Sequence, residues 1–219
     1  MNGIIVREDS AESFLARREL WKHQICQPLR GIEDVHTFID LGCNRGIWTC
    51  WLASRVANPQ HLKGLLVDAN PDAAEIATAA LKRNEMSSCA VLTGAVGCGP
   101  QPYVRFAEAP NDLTRHVAET GVKTPTLNVV KVWKEMHGSD LVDVLKIDVE
   151  GAEQGLLDDE PELFLRTKRL IMETHPPHDP SKIAEQLSAL EFDVYALNHW
   201  FEGSYMLFAE RLTNSASLT

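Results

Sequence analysis

The chain of 219 residues contains no apolar run approaching the roughly 20 residues that a membrane-crossing helix needs. Its opening residues lack the apolar core of a signal peptide, so the expected location is cytoplasmic, with no membrane partner. No Gly/Ser-rich or Pro-rich stretch offers a linker, and this length can bury a full core as one domain. Cysteine is sparse: five residues, an odd number without paired metal-site spacing, read as reduced and mostly buried thiols. Positive charge is also short, with 21 Lys and Arg against 31 Asp and Glu giving a net charge of −10. Phosphate backbones reward clustered Lys and Arg, so no nucleic-acid partner is expected, and small molecules, sugars or cationic ligands fit better. Two signatures of nicotinamide enzymes are absent: there is no G-x-G-x-x-G, and none of Tyr103, Tyr195 and Tyr205 has a lysine four residues later.

What is present is alternation of apolar runs and helical patterns. Residues 10–27 carry Phe14, Leu15, Leu20, Trp21 and Ile25 among charged residues, an amphipathic helix. Strands are expected at 37–41, 62–67, 90–92, 141–147 and 170–173, with helices at 46–56, 72–85, after Gly151 and at 180–190. A further strand is expected from 95–99 and 103–106, a strand running into helix at 129–136, and a closing antiparallel pair at 192–197 and 205–209. Strands that are apolar almost throughout, alternating with helices, imply an α/β domain whose parallel sheet is covered on both faces. The expected organisation is an N-terminal helical cap or lid (1–35), the α/β domain (36–211) and a flexible tail (212–219).

Residues 36–46 are the most informative. An apolar strand ends at Asp40, and a turn with glycines at 42 and 46 opens straight into a helix. Glycines let main-chain N–H groups approach a ligand, and a helix N-terminus favours negative charge there, so this is a nucleotide-cradling corner. Asp40 would anchor the turn by accepting main-chain N–H bonds, or reach an amino group of the ligand. Ligands of open parallel sheets bind beyond the carboxyl ends of strands, where Asp40, Asp68, Asp148 and Glu173 all fall. Asp68 suits two ribose hydroxyls, because Asn70 and Pro71 already supply a helix cap and first turn. The stretch Lys146-Ile147-Asp148-Val149-Glu150-Gly151-Ala152-Glu153 crowds three acids into six residues. Such crowding calls for a raised pKa or a cationic partner, with Lys146 the candidate. Asp148 and Glu150 are read as functional, and Glu153 as a helix-start acid facing the dipole.

Asp40-x-Gly42-x-x-x-Gly46 resembles the first motif of class I S-adenosylmethionine-dependent methyltransferases. Together with Asn44 within that turn, Asn84, and the Lys-Ile-Asp-x-Glu-Gly segment at 146–151, it closely resembles the FkbM-like family, over about residues 37–175. The resemblance implies a Rossmann-like fold with a mostly parallel seven-stranded sheet and a C-terminal antiparallel hairpin. It also implies S-adenosylmethionine as methyl donor and a hydroxyl acceptor, often on a sugar or polyketide, as in natural-product or glycan biosynthesis. The donor would rest on Asp40, Gly42, Asn44, Gly46, Asp68, Asn70 and Ala95, with adenine between Ala69-Asn70 and Gly94-Ala95-Val96. The chain departs from the pattern at Cys43 (usually Ala), at Arg45 (usually apolar), and at Asp68-Ala69-Asn70-Pro71 (commonly Glu-Pro-Asn-Pro).

Methyl transfer is an in-line displacement on an activated reagent, and an alcohol acceptor must also lose a proton. Asp148 and Glu150 are expected to face the acceptor, as general base or as ligands of Mg²⁺, with His175 as base or further ligand. The alternatives kept open are N-methylation of an amine and a non-catalytic module that binds S-adenosylmethionine. Ligand contacts are expected from the loop at 111–114. Trp48 and Trp51 read as core, Trp133 is open, and Trp200 and Phe201 either line an acceptor pocket or close the sheet edge. Oligomeric state is open, a homodimer through the N-terminal helix being one option.

Overall fold

The computed structural model describes residues 3–7, 10–106, 120–200 and 203–212. Seven strands form one sheet in the order β3-β2-β1-β6-β7-β9-β8. These are β1 (Thr37–Leu41), β2 (Lys63–Asp68), β3 (Cys89–Thr93), β6 (Val142–Ile147), β7 (Thr167–Thr174), β8 (Phe192–His199) and β9 (Tyr205–Arg211). The first five are parallel; β9 runs antiparallel to β7, and β8 to β9. β4 (Tyr103–Phe106) and β5 (Val122–Pro125) pair separately as a two-stranded sheet.

Side-chain alternation along the strands divides the core into two layers. Ile39, Leu41, Leu145 and Ile147 pack with α4 (Val129–His137), α5 (Glu153–Asp159), α6 (Pro161–Leu165) and α7 (Pro180–Ala189). Phe38 and Val144 face the other way, among Leu20, Trp48, Trp51, Ala77 and Leu81. Those residues come from the N-terminal segment, α2 (Ile47–Ala53) and α3 (Pro71–Arg83). In α3, Asn70 caps by accepting the Asp72 N–H, Pro71 sits in the first turn, and Ala73, Ala77, Ala80 and Leu81 form the buried stripe.

Three expectations change. Residues 129–137 are helical throughout: Asn128 caps Lys131, and the buried Glu160 carboxylate takes the N–H groups of Val129 and Val130 at 3.0 and 2.9 Å. Capping and burial of Val129, Val130 and Trp133 override the strand preference of valine. Residues 95–99 form no strand beyond a single bridge from Ala95 to Thr126, because the backbone turns at Gly97 (φ 65°) and Gly99 (φ 69°). The N-terminal helix is α1 (Ala11–Arg17) continued by a π-helical turn, Arg18–His23, which ends at Gln24 with φ 53°. The wider turn buries Leu20 against α2 but leaves Phe14 and Leu15 about half exposed. Asn84 is a main-chain clamp: it accepts the Ile5 N–H (2.7 Å) and donates to the Ile5 carbonyl (3.0 Å), tying residues 3–7 to the end of α3. Among the described residues, no helix is long and apolar enough to cross a membrane.

Candidate active site

β2 and β3 lie on one side of β1 and β6 on the other, so strand order reverses between β1 and β6. A crevice opens at such a point. Gly42 follows β1 with φ 69°, and a Cβ there would run into the main-chain carbonyl of Asp148 at the end of β6. Only glycine combines that conformation with that approach. The N–H groups of Gly42 and Cys43 both donate to the Val67 carbonyl, at 2.9 and 3.0 Å. Asp68 then latches the corner, accepting the Asn44 N–H (2.6 Å) on one oxygen and the Asn70 N–H (2.8 Å) on the other. Each oxygen keeps a second acceptor site for a ligand.

Gly42, Asn44, Asp68, Asn70 and Ala95 line one cavity of about 520 Å³, together with Ala69, Gly94 and Val96. Asn44 Oδ1 is buried there with no hydrogen-bond partner among the described residues. Val104 and Phe106 of the separate hairpin supply an apolar wall.

Asp40 and Gly46 do not reach that cavity. Gly46 is the residue from which α2 starts, at φ 73°. Asp40 takes neither expected role. It is fully buried, accepts the Thr49 hydroxyl at 2.7 Å, and lies 3.3 Å from Lys146 Nζ. The reason is register: Asp40 pairs with Lys146 across β1 and β6, and alternation turns both toward α2. Burial pushes the Asp40 carboxyl up, while Lys146 and the Thr49 bond oppose that shift.

Lys146 joins the two ends of the crevice. Its Nζ donates to the Gly42 carbonyl at 2.7 Å and lies 3.3 Å from an Asp148 oxygen. Burial alone would lower its pKa, yet Asp148 and Asp40 hold it raised, so the ammonium stays charged. Asp148 and Glu150 line the cavity at its far end, beside Pro176 and Pro177. Glu150 sits at φ 51°, a left-handed conformation that costs a non-glycine residue about 1–3 kcal/mol and clusters at functional sites.

The His175 ring faces four carboxylates. Nδ1 is 2.8 Å from Glu153; Nε2 is 3.5 Å from both Glu150 and Glu173 and 4.0 Å from Asp148. Burial would lower the His175 pKa, but the bonds to Glu153 and Glu173 and the nearby charges push it up to about 11. In the metal-free protein the surrounding carboxylates therefore favour the imidazolium. Glu150 is raised to about 7, first by burial and then by the Asp148 charge, which poises it to accept a proton near neutrality. Among the described residues, the group of three whose ligand atoms lie within 4.8 Å of one another is Asp148, Glu173 and His175; of the expected pair, Asp148 belongs to it and Glu150 lies beside it.

Two residues escaped the sequence reading. Glu153, expected as a helix-start acid facing the dipole, is fully buried against His175. Glu19, in the π-helical turn, has its carboxyl raised by burial and then by the charges of Glu173 and Asp148, so the N-terminal segment borders the acid cluster. The spacing of Glu153 from Glu150 was a usable signal for the first. Nothing in the chain pattern marks the second.

A family model described as the methyltransferase FkbM domain matches residues 5–194. The chain belongs to the FkbM methyltransferase family. It is therefore a methyltransferase of the S-adenosylmethionine-dependent class, and its sheet is that of class I methyltransferases. Solved structures agree on the fold at low identity. An O-methyltransferase family protein from Burkholderia thailandensis is 13% identical with TM-score 0.55, covering 93% of this chain and 60% of that one. M. capricolum TrmK, solved with S-adenosylhomocysteine, is 9% identical with TM-score 0.54, covering 86% of this chain and 66% of its own. Magnesium protoporphyrin IX methyltransferase (ChlM) from Synechocystis PCC 6803, solved with S-adenosylmethionine, is 14% identical with TM-score 0.53, covering 94% and 86%. Comparison with curated proteins finds no match.

In this FkbM methyltransferase Trp48, Trp51 and Trp133 are all core, and the Trp133 Nε1–H donates to the Asp140 carbonyl at 2.8 Å. Trp200 packs at the margin of the layer on the α2 side. The loop at 111–114, Phe201 and most of the 212–219 tail lie outside the described residues.

Proposed function

We propose that this FkbM methyltransferase transfers the methyl group of S-adenosylmethionine to a hydroxyl on a small molecule or sugar-bearing metabolite. The observation that carries the reading is one cavity with two unlike ends: a donor end of glycine, main-chain groups and the single carboxylate of Asp68, and an end bearing Asp148 and Glu150. Adenine rests against Ala69, Asn70 and the 94–96 segment, the ribose hydroxyls on Asp68, and the methionine ammonium near Asn44 Oδ1. The acceptor oxygen then attacks the sulfonium methyl in line. The carbon–sulfur bond breaks, S-adenosylhomocysteine leaves, and the hydroxyl proton passes to Glu150, whose pKa near 7 suits that task.

Asp148 and Glu173, with His175 beside them, would hold a divalent cation such as Mg²⁺ through their carboxylate oxygens; ligation by His175 as well would require its Nε2 to give up a proton. Bound there, the cation would supply positive charge that eases loss of the acceptor proton. Glu19 gives the N-terminal segment a place on the acceptor side, as a wall or lid. An amine acceptor is the second reading, favoured by the surplus of carboxylates over cations at that end. The setting consistent with a small acceptor is cytoplasmic biosynthesis of natural products or glycans.

The deciding experiment is calorimetric titration with S-adenosylmethionine and S-adenosylhomocysteine, with NAD⁺ as control and Asp68→Ala alongside. Micromolar binding of the sulfur nucleotides, weakened about tenfold or more in the variant, supports the donor assignment; preference for NAD⁺, or binding of neither, removes it. Hydroxyl and amine acceptors assayed with Mg²⁺ and with EDTA then separate the two acceptor readings.

A further inference from the structure

We infer that Glu153 is a positioning residue that fixes the His175 imidazole and the Glu150–Gly151 turn, so that His175 Nε2 and the Glu150 carboxylate face one acceptor. This rests on the reading of the acid-lined end as the acceptor side. A helix-start acid in water needs no partner, but Glu153 is completely buried at the first position of α5. A buried carboxylate is costly unless it is paired and hydrogen-bonded. One oxygen, Oε1, makes both of its contacts: 2.8 Å to His175 Nδ1 and 3.1 Å from the Gly151 N–H. The other, Oε2, has no hydrogen-bond partner among the described residues.

The consequence for His175 is independent of its charge. Whether the ring is neutral or cationic, Nδ1–H donates to Glu153, which leaves Nε2 for the side where Glu150, Glu173 and Asp148 lie. Without that bond a histidine ring has two broad orientations about its last torsion. The same carboxylate holds the Gly151 N–H while the His178 Nε2–H donates to the Gly151 carbonyl at 2.8 Å. Gly151 is thereby held at both of its main-chain polar groups, one in each peptide that flanks it, which supports the left-handed backbone at Glu150 and the positive φ of 100° at Gly151. α5 is itself anchored through Leu156 and Leu157 in the core, so the carboxylate stands on a rigid base.

The test uses the full chain loaded with S-adenosylhomocysteine and labelled with ¹⁵N-histidine. Long-range proton–nitrogen spectra should show His175 protonated at Nδ1, with a low-field proton in the wild type. That proton should shift upfield in Glu153→Gln, which keeps an acceptor oxygen, and lose its low-field position in Glu153→Leu. Mn²⁺ affinity, read by electron paramagnetic resonance, should fall about tenfold or more in Glu153→Leu and recover in part in Glu153→Gln. In a His175→Asn background the Glu153 substitutions should change Mn²⁺ affinity no further, whereas a merely structural role would lower it equally in both backgrounds. An unchanged Nδ1 resonance in both variants, or additive losses, overturns the inference. If Glu153→Leu does not fold, Glu153→Gln still decides it. Failure of the proposed function is separate: a wild type that binds no S-adenosylhomocysteine sinks that reading, and one that binds no Mn²⁺ sinks the metal, while the histidine spectrum still settles Glu153.

Discussion

The two ends of the crevice solve opposite problems. At the donor end, main-chain groups, small residues and the Asp68 carboxylate do the shaping, and Asp40, buried behind the cavity, is matched by Lys146 and a threonine hydroxyl. At the acid end, Asp148, Glu150, Glu153 and Glu173 gather around one imidazole, Glu19 borders Glu173 and Asp148, and Lys146 adds a cation beside Asp148. The first end carries one carboxylate, Asp68, fixed by two main-chain N–H groups; the second holds negative charge in excess, which a proton, a divalent cation or a polar acceptor would relieve. Lys146 is where the two regimes touch.

The largest expected effect removes that joint. Lys146→Met leaves Asp40 buried without a counter-ion and should cost about 3–5 kcal/mol in urea unfolding. Adding Asp40→Leu should recover more than half of it; if the double variant is no better, the pair is not what stabilises the corner. Next comes the acid end alone. Glu150→Gln should lower kcat by roughly 10²–10⁴ with donor affinity unchanged, and should abolish a rise of kcat/KM with pH centred near 7. A surviving rise would assign the base elsewhere. At the donor end, Gly42→Ala forces a methyl against the Asp148 carbonyl and should weaken S-adenosylhomocysteine by about 30-fold in calorimetry, roughly 2 kcal/mol. Unchanged affinity would mean that the ends can part without loss.

The smallest effect concerns charge balance in the metal-free protein. His175 has its pKa raised from 6.5 to about 11, burial being outweighed by Glu153, Glu173 and Asp148. Its charge therefore contributes stability that is complete below about pH 6.5 and is lost as pH rises toward 11. The melting temperature of the wild type should exceed that of His175→Asn by about 3 °C at pH 6, with a smaller gap at pH 9.5. A gap that widens with pH would contradict the sign.

The parallel sheet and its corner were legible because they are local: apolar strands bounded by Gly42, Gly46, Asp68 and Pro71 announce themselves over a few residues. Gly42, Asn44, Asp68, Asn70 and Ala95, chosen from sequence, do line one cavity. Asp40 was misread because its partner is set by strand register, which no local pattern reports. Glu153 was misread because a dipole argument explains an acid at a helix start whether or not it is buried. Residues 129–137 failed because the carboxylate that caps them, Glu160, comes from beyond the next strand and helix. The placement of Glu19 depends on the π-helical turn, an insertion-like widening that shifts which residues face inward.

The register of β1 against β6 also has a historical consequence. Positions 40 and 146 lie far apart in the chain but opposite each other in the sheet, and both are closed off from water. Changing either one alone passes through an ancestor carrying a lone buried charge, a step expensive enough to be purged. Among descendants of this sequence the two positions should therefore change together or stay fixed together, as one inherited character written in two places.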